Sequence, residues 1–357
     1  MVRIRQWEMR AANQPFAAAE REVGSPGPGE VLVRVAACGV CHTDFGFWAG
    51  EVKTNHALPL VLGHEISGVV EEAGPGAERW RGQPVVVPAV LPCGECDACR
   101  RGRYALCPRQ IFPGNDIDGG FATHVVVPAR HLCSAVGLED RLPLLSVVAD
   151  ALSTPYEAIA RSGLRAGDLA IFVGVGGVGG FGVQIAAALG ATVVAVDPAA
   201  ARRELALRHG AALGLDPAAL DVPALRKAVR EFVKQRGLPA EEWKLFETSG
   251  TTRGQETAFA LLGKGAHLGV VGFTAQSTPL MLSKLMALDA RAVGNWGCAP
   301  ERYPEILDLV RAGRIAIEPF VEVHPLSEIN DVFQAMAEHR LERRAVLVPE
   351  TAVGGAR

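Results

Sequence analysis

The chain has 357 residues, eight cysteines and a formal net charge of −3. That length exceeds what one ordinary hydrophobic core serves, so two domains are expected, and the near-neutral balance gives no reason to expect nucleic acid or an anionic membrane as partner. The opening MVRIRQWEMRAANQ has no apolar signal core, which sets the expectation of a cytoplasmic protein whose cysteines serve metal rather than disulfides.

Residues 1–151 read as a β-rich domain. Alternating runs at 30–36, 66–71, 84–90 and 121–128 are separated by turns such as Pro26-Gly27-Pro28-Gly29, a spacing that suggests a barrel or sandwich. Two groups of metal-ligand residues fall in this domain. The first is a lobe at about 91–109, where Cys93-Gly-Glu-Cys96-Asp-Ala-Cys99 is followed by Cys107. Four thiolates on one loop can close a tetrahedral zinc site with no position left for chemistry. A ferredoxin run is similar, down to Pro108, but its last spacing is shorter and no second set is present.

The second group is dispersed: Cys41-His42-Thr43-Asp44, then Gly63-His64-Glu65, then Asp150. Thiolate, imidazole and carboxylate can hold zinc with a fourth position open to water or substrate. Spacing alone leaves alternatives. Cys41 can pair with Cys38 as C-x-x-C, His64 can be a satisfied buried histidine, and Asp150 can cap a helix beginning near Leu152.

From 152 to 295 strands alternate with helices. Residues 169–173 are apolar, Gly174-Val-Gly176-Gly177-Val178-Gly179 follows at once, a helix runs to about 189, and a β-branched run at 192–196 ends in Asp197. In a dinucleotide-binding fingerprint the first glycine makes the tight turn, the second admits a pyrophosphate, and the third lets helix and strand sit close. Helices at 201–209, 224–235 and 256–262 and strands at 244–248 and 266–273 extend the pattern, so the expected fold class is α/β, a Rossmann doubly wound parallel sheet beside the β-rich domain. The uncharged stretch 169–196 is also long enough to cross a bilayer. Glycines interrupt it, however, and Asp197 stands where a ribose hydroxyl needs an acceptor, so no membrane partner is expected. The same carboxylate favours NAD over NADP; Arg202 and Arg203, on the next helix, count on the other side. Residues 296–357, with helices at 303–311 and 328–339 and a strand at 345–348, are expected to return to the first domain.

These motifs, in this order, resemble the zinc-dependent alcohol dehydrogenases of the medium-chain family over essentially the whole chain. The resemblance implies a GroES-like catalytic domain, a Rossmann domain, two zinc ions per chain, hydride transfer from an alcohol to NAD, and a homodimer or homotetramer. It also implies roles. Cys41, His64 and Asp150 become ligands of a catalytic zinc with Glu65 adjacent, Asp44 orients His64, Thr43 takes the alcohol proton, and Arg344 partners Glu65. His42, Gly174, Gly176, Gly177, Val178, Gly179, Asp197, Arg202 and Arg344 become cofactor contacts, while Cys93, Cys96, Cys99 and Cys107 hold a structural zinc. The relay histidine of some members falls at Gly46 here.

Glu51-Val-Lys-Thr-Asn-His56, Pro113-Gly-Asn-Asp-Ile-Asp-Gly-Gly-Phe121, Val148-Ala-Asp150-Ala and Gly294-Asn-Trp-Gly-Cys298 further resemble one branch, the 6-hydroxycyclohex-1-ene-1-carbonyl-CoA dehydrogenases of anaerobic aromatic degradation. That implies a small-molecule substrate carried as a CoA thioester. Arg100, Arg101 and Arg103 are a basic cluster that suits either coenzyme A or a solvated lobe. Oxidising such a substrate conjugates an alkene to a ketone and a thioester, so slow hydration of that alkene is a further expectation, with Asp150, Glu65 and Thr43 managing the proton. A simple secondary alcohol or polyol as substrate, and a non-catalytic zinc-stabilised nucleotide-binding protein, remain as other readings.

Overall fold

The computed structural model describes residues 1–350; residues 351–357, the end of the segment assigned from sequence to the first domain, lie outside the described residues. Two compact units result. One holds residues 1–153, 297–307 and 321–350, and the other holds 154–296 and 308–320.

The first unit begins with β1 (Val2–Met9), β2 (Ala17–Val23) and β3 (Glu30–Gly39), continues through α1 (His42–Trp48), β4 (Leu60–Val61), β5 (Glu65–Ala73), β6 (Pro84–Val87), α2 (Asp97–Arg100), β7 (His124–Pro128) and β8 (Cys133–Ser134), and returns later. β3 is its axis: ten residues long, with Val31, Leu32 and Val33 fully buried, it pairs antiparallel with β5 and β7. The first hairpin, β1 with β2, has a weak sequence signal: the alternation of Val2-Arg3-Ile4-Arg5 slips phase at Gln6-Trp7, and β2 carries alanines and charges with no buried residue. The strand expected at 121–128 starts only at His124. Residues 119–121 instead lie against 61–63, where Gly120 N donates to Gly63 O at 2.7 Å and Phe121 N to Leu62 O at 3.0 Å.

The second unit has α3 (Ser153–Ser162), β9 (Leu169–Val173), α4 (Gly179–Ala188), β10 (Thr192–Val196), α5 (Ala200–Arg208), β11 (Ala211–Leu215), α6 (Val222–Arg236), β12 (Lys244–Glu247), α7 (Thr252–Ala260), β13 (His267–Val270), α8 (Ser283–Leu288) and β14 (Arg291–Gly294). Its sheet is parallel throughout, in the order β11-β10-β9-β12-β13-β14. Numbered within the sheet this is 3-2-1-4-5-6, the doubly wound order whose switch point lies between β9 and β12. Every residue of β9 is buried, as both faces of a parallel strand require. α7 starts four residues before the expected 256 because the hydroxyl of Thr251 accepts from Gly254 N at 3.0 Å and caps the first turn. The uncharged stretch 169–196 is thus strand, helix and strand, and no described helix is long and apolar enough to cross a membrane.

The last segments are α9 (Tyr303–Arg311), β15 (Val321–Pro325), α10 (Ile329–Ala337) and β16 (Arg344–Val348). β16 pairs with β3 through Val346 and Gly39, and Phe333 of α10 packs its ring 4.7 Å from Phe16. Gly39 also stands opposite Glu65 of β5. Three distant stretches therefore converge on one end of β3, and the candidate chemistry is there.

Candidate metal and nucleotide sites

The four cysteines of the 91–109 lobe lie together, their sulfurs within 4.8 Å of one another. Cys96 Sγ is 3.5 Å from Cys99 Sγ and 3.8 Å from Cys107 Sγ, and Cys93 Sγ is 3.9 Å from Cys99 Sγ. A tetrahedron with Zn–S bonds of ~2.3 Å has edges of about 3.8 Å, whereas a disulfide needs ~2.05 Å. The donor set therefore fits zinc. Backbone N–H groups already face the sulfurs, from Cys93 to Cys107 at 3.3 Å and from Cys96 to Cys93 at 3.4 Å. The N–H of Glu95, foremost, brings the Cys93 thiol down to about 6, while burial pushes Cys99 up to about 12. Metal uptake here must then displace a proton from Cys99. Arg100 turns to Asp97 and the Glu95 carbonyl, so this lobe uses it internally.

The dispersed group is also brought together: Cys41, His64, Glu65 and Asp150 present ligand atoms within 4.8 Å of one another. Asp150 Oδ2 is 3.5 Å from both Cys41 Sγ and His64 Nε2. Bonds of 2.0–2.3 Å to a tetrahedral ion give edges of about 3.3–3.7 Å between such atoms, so this set fits zinc as well, with three donors and an open position.

Asp44, fully buried on the first turn of α1, builds the arrangement. Its Oδ2 accepts from Cys41 N at 2.9 Å, and its Oδ1 accepts from Gly63 N at 3.1 Å and lies 3.1 Å from His64 Nδ1. With a proton on Nδ1, the imidazole presents the Nε2 lone pair to the ligand group. Burial disfavours imidazolium, but Asp44 first and then Asp150 outweigh it and hold the His64 pKa well above its ordinary value in the metal-free protein. Cys38, fully buried, approaches the Gly39 carbonyl, and neither it nor Cys41 is in a disulfide.

Glu65 is fully buried and forms a two-point ion pair with Arg344, one contact being Nε to Oε2 at 2.8 Å. Burial pushes its carboxyl up to about 7 against the pull of Arg344. Thr43 Oγ1 is 3.7 Å from Cys41 Sγ, and His42 is exposed at the start of α1. Phe112, which sequence did not single out, lays its ring 4.8 Å from the ring of His64. Only its place beside Pro113 hinted at it.

In the second unit Gly174 takes φ +86°, and a Cβ there would stand 2.5 Å from Ser249 Cα; a Cβ on Gly179 would stand 1.9 Å from Gly174 O. These glycines serve the turn and the helix–strand approach. Gly176, Gly177 and Val178 lead into α4, and Gly176 offers a side without backbone neighbours, with Arg202 Nη1 3.5 Å from its Cβ position. Asp197 Oδ2 accepts from Val175 N and its Oδ1 from Ala199 N, both at 2.9 Å. That ties the end of β10 to the glycine turn and leaves further lone pairs for a ribose hydroxyl. Thr248 braces the turn from β12 by donating to Gly174 O at 2.5 Å, a contact with no sequence signal. The open Gly176 and the acceptor at Asp197 fit a dinucleotide.

Residues 27–137 match the family described as "Alcohol dehydrogenase GroES-like domain", and residues 177–312 match "Zinc-binding dehydrogenase". An alcohol dehydrogenase of Geobacillus stearothermophilus is 32% identical over 94% of this chain and 96% of its own. Among solved structures, an alcohol dehydrogenase from Thermotoga maritima superposes with TM-score 0.88 at 25% identity, covering 98% of this chain and 100% of its own. A zinc-binding dehydrogenase target from Sinorhizobium meliloti, solved with NADP bound, superposes with TM-score 0.85 at 26% identity over the same shares.

Proposed function

Because the chain belongs to the zinc-binding alcohol dehydrogenases with a GroES-like domain, we propose that it oxidises the ring alcohol of an alicyclic hydroxyacyl-CoA, 6-hydroxycyclohex-1-ene-1-carbonyl-CoA, with NAD as hydride acceptor. The coarser activity is that of a zinc-dependent oxidoreductase of CH–OH groups using a nicotinamide dinucleotide and a small-molecule substrate. The observation that carries the chemistry is the open donor set of Cys41, His64 and Asp150 beside Glu65. Bound there, zinc supplies Lewis-acid polarisation of the substrate oxygen. The chain supplies the rest. Thr43 offers a hydroxyl near the donor set to accept the alcohol proton. Asp44 fixes the imidazole tautomer, and the buried Glu65–Arg344 pair places balanced charge beside the donors.

The choice of substrate within the class rests on the narrower resemblance. Two stretches that carry it, 51–56 and 113–121, are stitched together: Asn55 N donates to Asn115 Oδ1 at 2.9 Å, Asn55 Nδ2 to Asp116 Oδ1 at 2.7 Å, and His56 N to Asn115 O at 2.8 Å. Asp116 in turn holds the backbone of Phe112, the ring beside His64. A screen of cyclic hydroxyacyl-CoA thioesters against secondary alcohols and polyols is expected to give the highest kcat/KM on the thioester. Equal or better turnover of a simple alcohol or polyol would overturn this reading. The oxidation product has an alkene carbon β to two carbonyls, and the same donor set is proposed to hydrate it slowly, with Asp150, Glu65 and Thr43 moving the proton. Incubating the zinc enzyme with the 6-oxo enoyl thioester should yield hydrated product by mass; a rate no higher than in buffer discards that activity.

NAD is expected over NADP by about tenfold or more in kcat/KM, a difference of ~1.4 kcal/mol, since a 2′-phosphate would meet the Asp197 carboxylate. On α5, Arg203 already donates to the Asp197 and Pro198 carbonyls and pairs with Asp216 at 3.3 Å, which leaves Arg202, whose Nη1 lies by Gly176, as the basic side chain that counts toward NADP. NADP turnover equal to that with NAD would reverse the assignment. A homodimer or homotetramer belongs to the same proposal. β14 is an exposed edge, and Met281, Leu282 and Met286 nearby in sequence are 72%, 70% and 79% exposed, a surface that a second copy would cover. Sedimentation as a monomer would remove it.

A further inference from the structure

Within its donor group, Cys41 caps α1 and His64 directly precedes β5, whereas Asp150 adjoins no strand or α-helix. It follows the 3-10 segment Glu139–Ala149 directly, with φ −140° and ψ −57°. Nothing in that irregular backbone fixes by itself where the carboxylate points. The peptide just before it is held from behind. The Ala149 carbonyl accepts from Tyr303 Oη at 2.8 Å, from Ser153 Oγ at 3.0 Å and from Ala89 N at 3.3 Å. Ser153 Oγ is also 3.2 Å from Tyr303 Oη and 3.4 Å from the Asp150 carbonyl.

A hydroxyl carries one proton, so these contacts define a direction. Tyr303 donates to Ala149 O, and its oxygen accepts from Ser153 in the state where Ser153 does not bond a carbonyl. Tyr303 and Ser153 are each 1% exposed, so water does not substitute for either partner. Burial, followed by the nearby Cys298, pushes the Tyr303 phenol well above its ordinary value and keeps it a donor. Tyr303 reaches this place from the return segment 297–307, about 150 residues away in sequence, which belongs to the same unit as the donor group.

We propose that Tyr303, assisted by Ser153, is a positioning residue for the open metal site: it pins the Ala149–Asp150 peptide so that the Asp150 carboxylate stays 3.5 Å from both Cys41 Sγ and His64 Nε2. The inference rests on the reading of Asp150 as a metal ligand. Tyr303 touches neither substrate nor metal in this account. Its hydroxyl acts through one carbonyl, and the effect falls on how firmly the third ligand is presented.

The test is Tyr303→Phe, which keeps the ring and removes one hydroxyl, compared with wild type and Asp150→Asn in metal release from the zinc enzyme to a chromophoric chelator and in the visible spectrum after cobalt substitution. Outer partners of metal ligands are worth roughly 10–100-fold in affinity. Release from the open site should accelerate by that order in Tyr303→Phe, with its one-thiolate cobalt spectrum shifted and the four-thiolate spectrum unchanged. Ser153→Ala should show a smaller change in the same direction, and it carries the comparison if Tyr303→Phe does not fold. Wild-type release and spectrum in Tyr303→Phe, or equal acceleration at both sites, would overturn the proposal. If Asp150→Asn leaves the open-site metal undisturbed, Asp150 is no ligand and the inference falls with that reading. If Asp150→Asn strips the metal and Tyr303→Phe does not loosen it, only the inference falls.

Discussion

Replacing His64 by alanine is expected to abolish turnover while leaving the chain folded and one zinc in place. His64 is 1% exposed, and its imidazole supplies one of three donors around the open position. Without it, Cys41 and Asp150 remain as two donors, too few for a stable tetrahedral site. Glu65 is near enough to be drawn in, but its oxygens are committed to Arg344, so recruitment would leave a buried guanidinium unpaired. The loss should be roughly 10³-fold or more in kcat/KM, since a Lewis acid at the reacting oxygen contributes several kcal/mol and each ~1.4 kcal/mol is tenfold in rate. Asp44 keeps its bonds to Cys41 N and Gly63 N, so α1 and the start of β5 should hold their places. Metal content by mass spectrometry, kcat/KM and near-UV circular dichroism on one preparation decide the matter. Full activity with a single metal after His64→Ala would sink the assignment of the open site. Unchanged dinucleotide binding beside lost turnover would set it apart from a purely nucleotide-binding protein.

The parts of this site that sequence shows are those built from near neighbours. Cys93 to Cys107 span one lobe, and Gly174 to Asp197 span one strand–turn–helix–strand unit, so spacing within the chain is nearly spacing in space. The open site is different in kind. Cys41 and Asp150 stand 109 residues apart, and each residue alone admits an ordinary structural reading. The register of β3 against β5 and β16 brings Cys41, His64 and Glu65 together, with Asp44 bonding the Cys41 and Gly63 backbones, and Asp150 arrives from the 3-10 segment Glu139–Ala149, tied to β5 where Ser67 Oγ donates to Leu142 O; these are tertiary facts. Elements lacking a covered face were invisible for a related reason. β14 is largely exposed, and β11 is short, contains Gly214 and has only two buried residues, so neither carries a periodic apolar signal. The return of Tyr303 to the Ala149 carbonyl has no local signature at all.

Replacing Cys96 by serine should produce the opposite pattern, a fall in stability with chemistry largely kept. Little apart from a metal can organise the 91–109 lobe. α2 has four residues, the following 3-10 turn has three, and Leu106 is 58% exposed. The sulfurs are placed for a tetrahedron instead, and Cys99 and Cys107, at 5% and 2% exposed, face inward where an unliganded thiolate would be costly. A serine hydroxyl does not ionise near neutral pH, so the site becomes three-thiolate and its metal weaker. Binding free energy at such a site is folding free energy. The transition temperature should drop by on the order of 5–10 °C, a large shift for units of this size. Below that transition, kcat/KM should stay within about threefold, because no residue of the lobe belongs to the open donor set. Calorimetry and kinetics on zinc-loaded protein test both halves. An unchanged transition temperature, or a kcat/KM that collapses while the transition temperature holds, would mean that the four-cysteine metal is not structural.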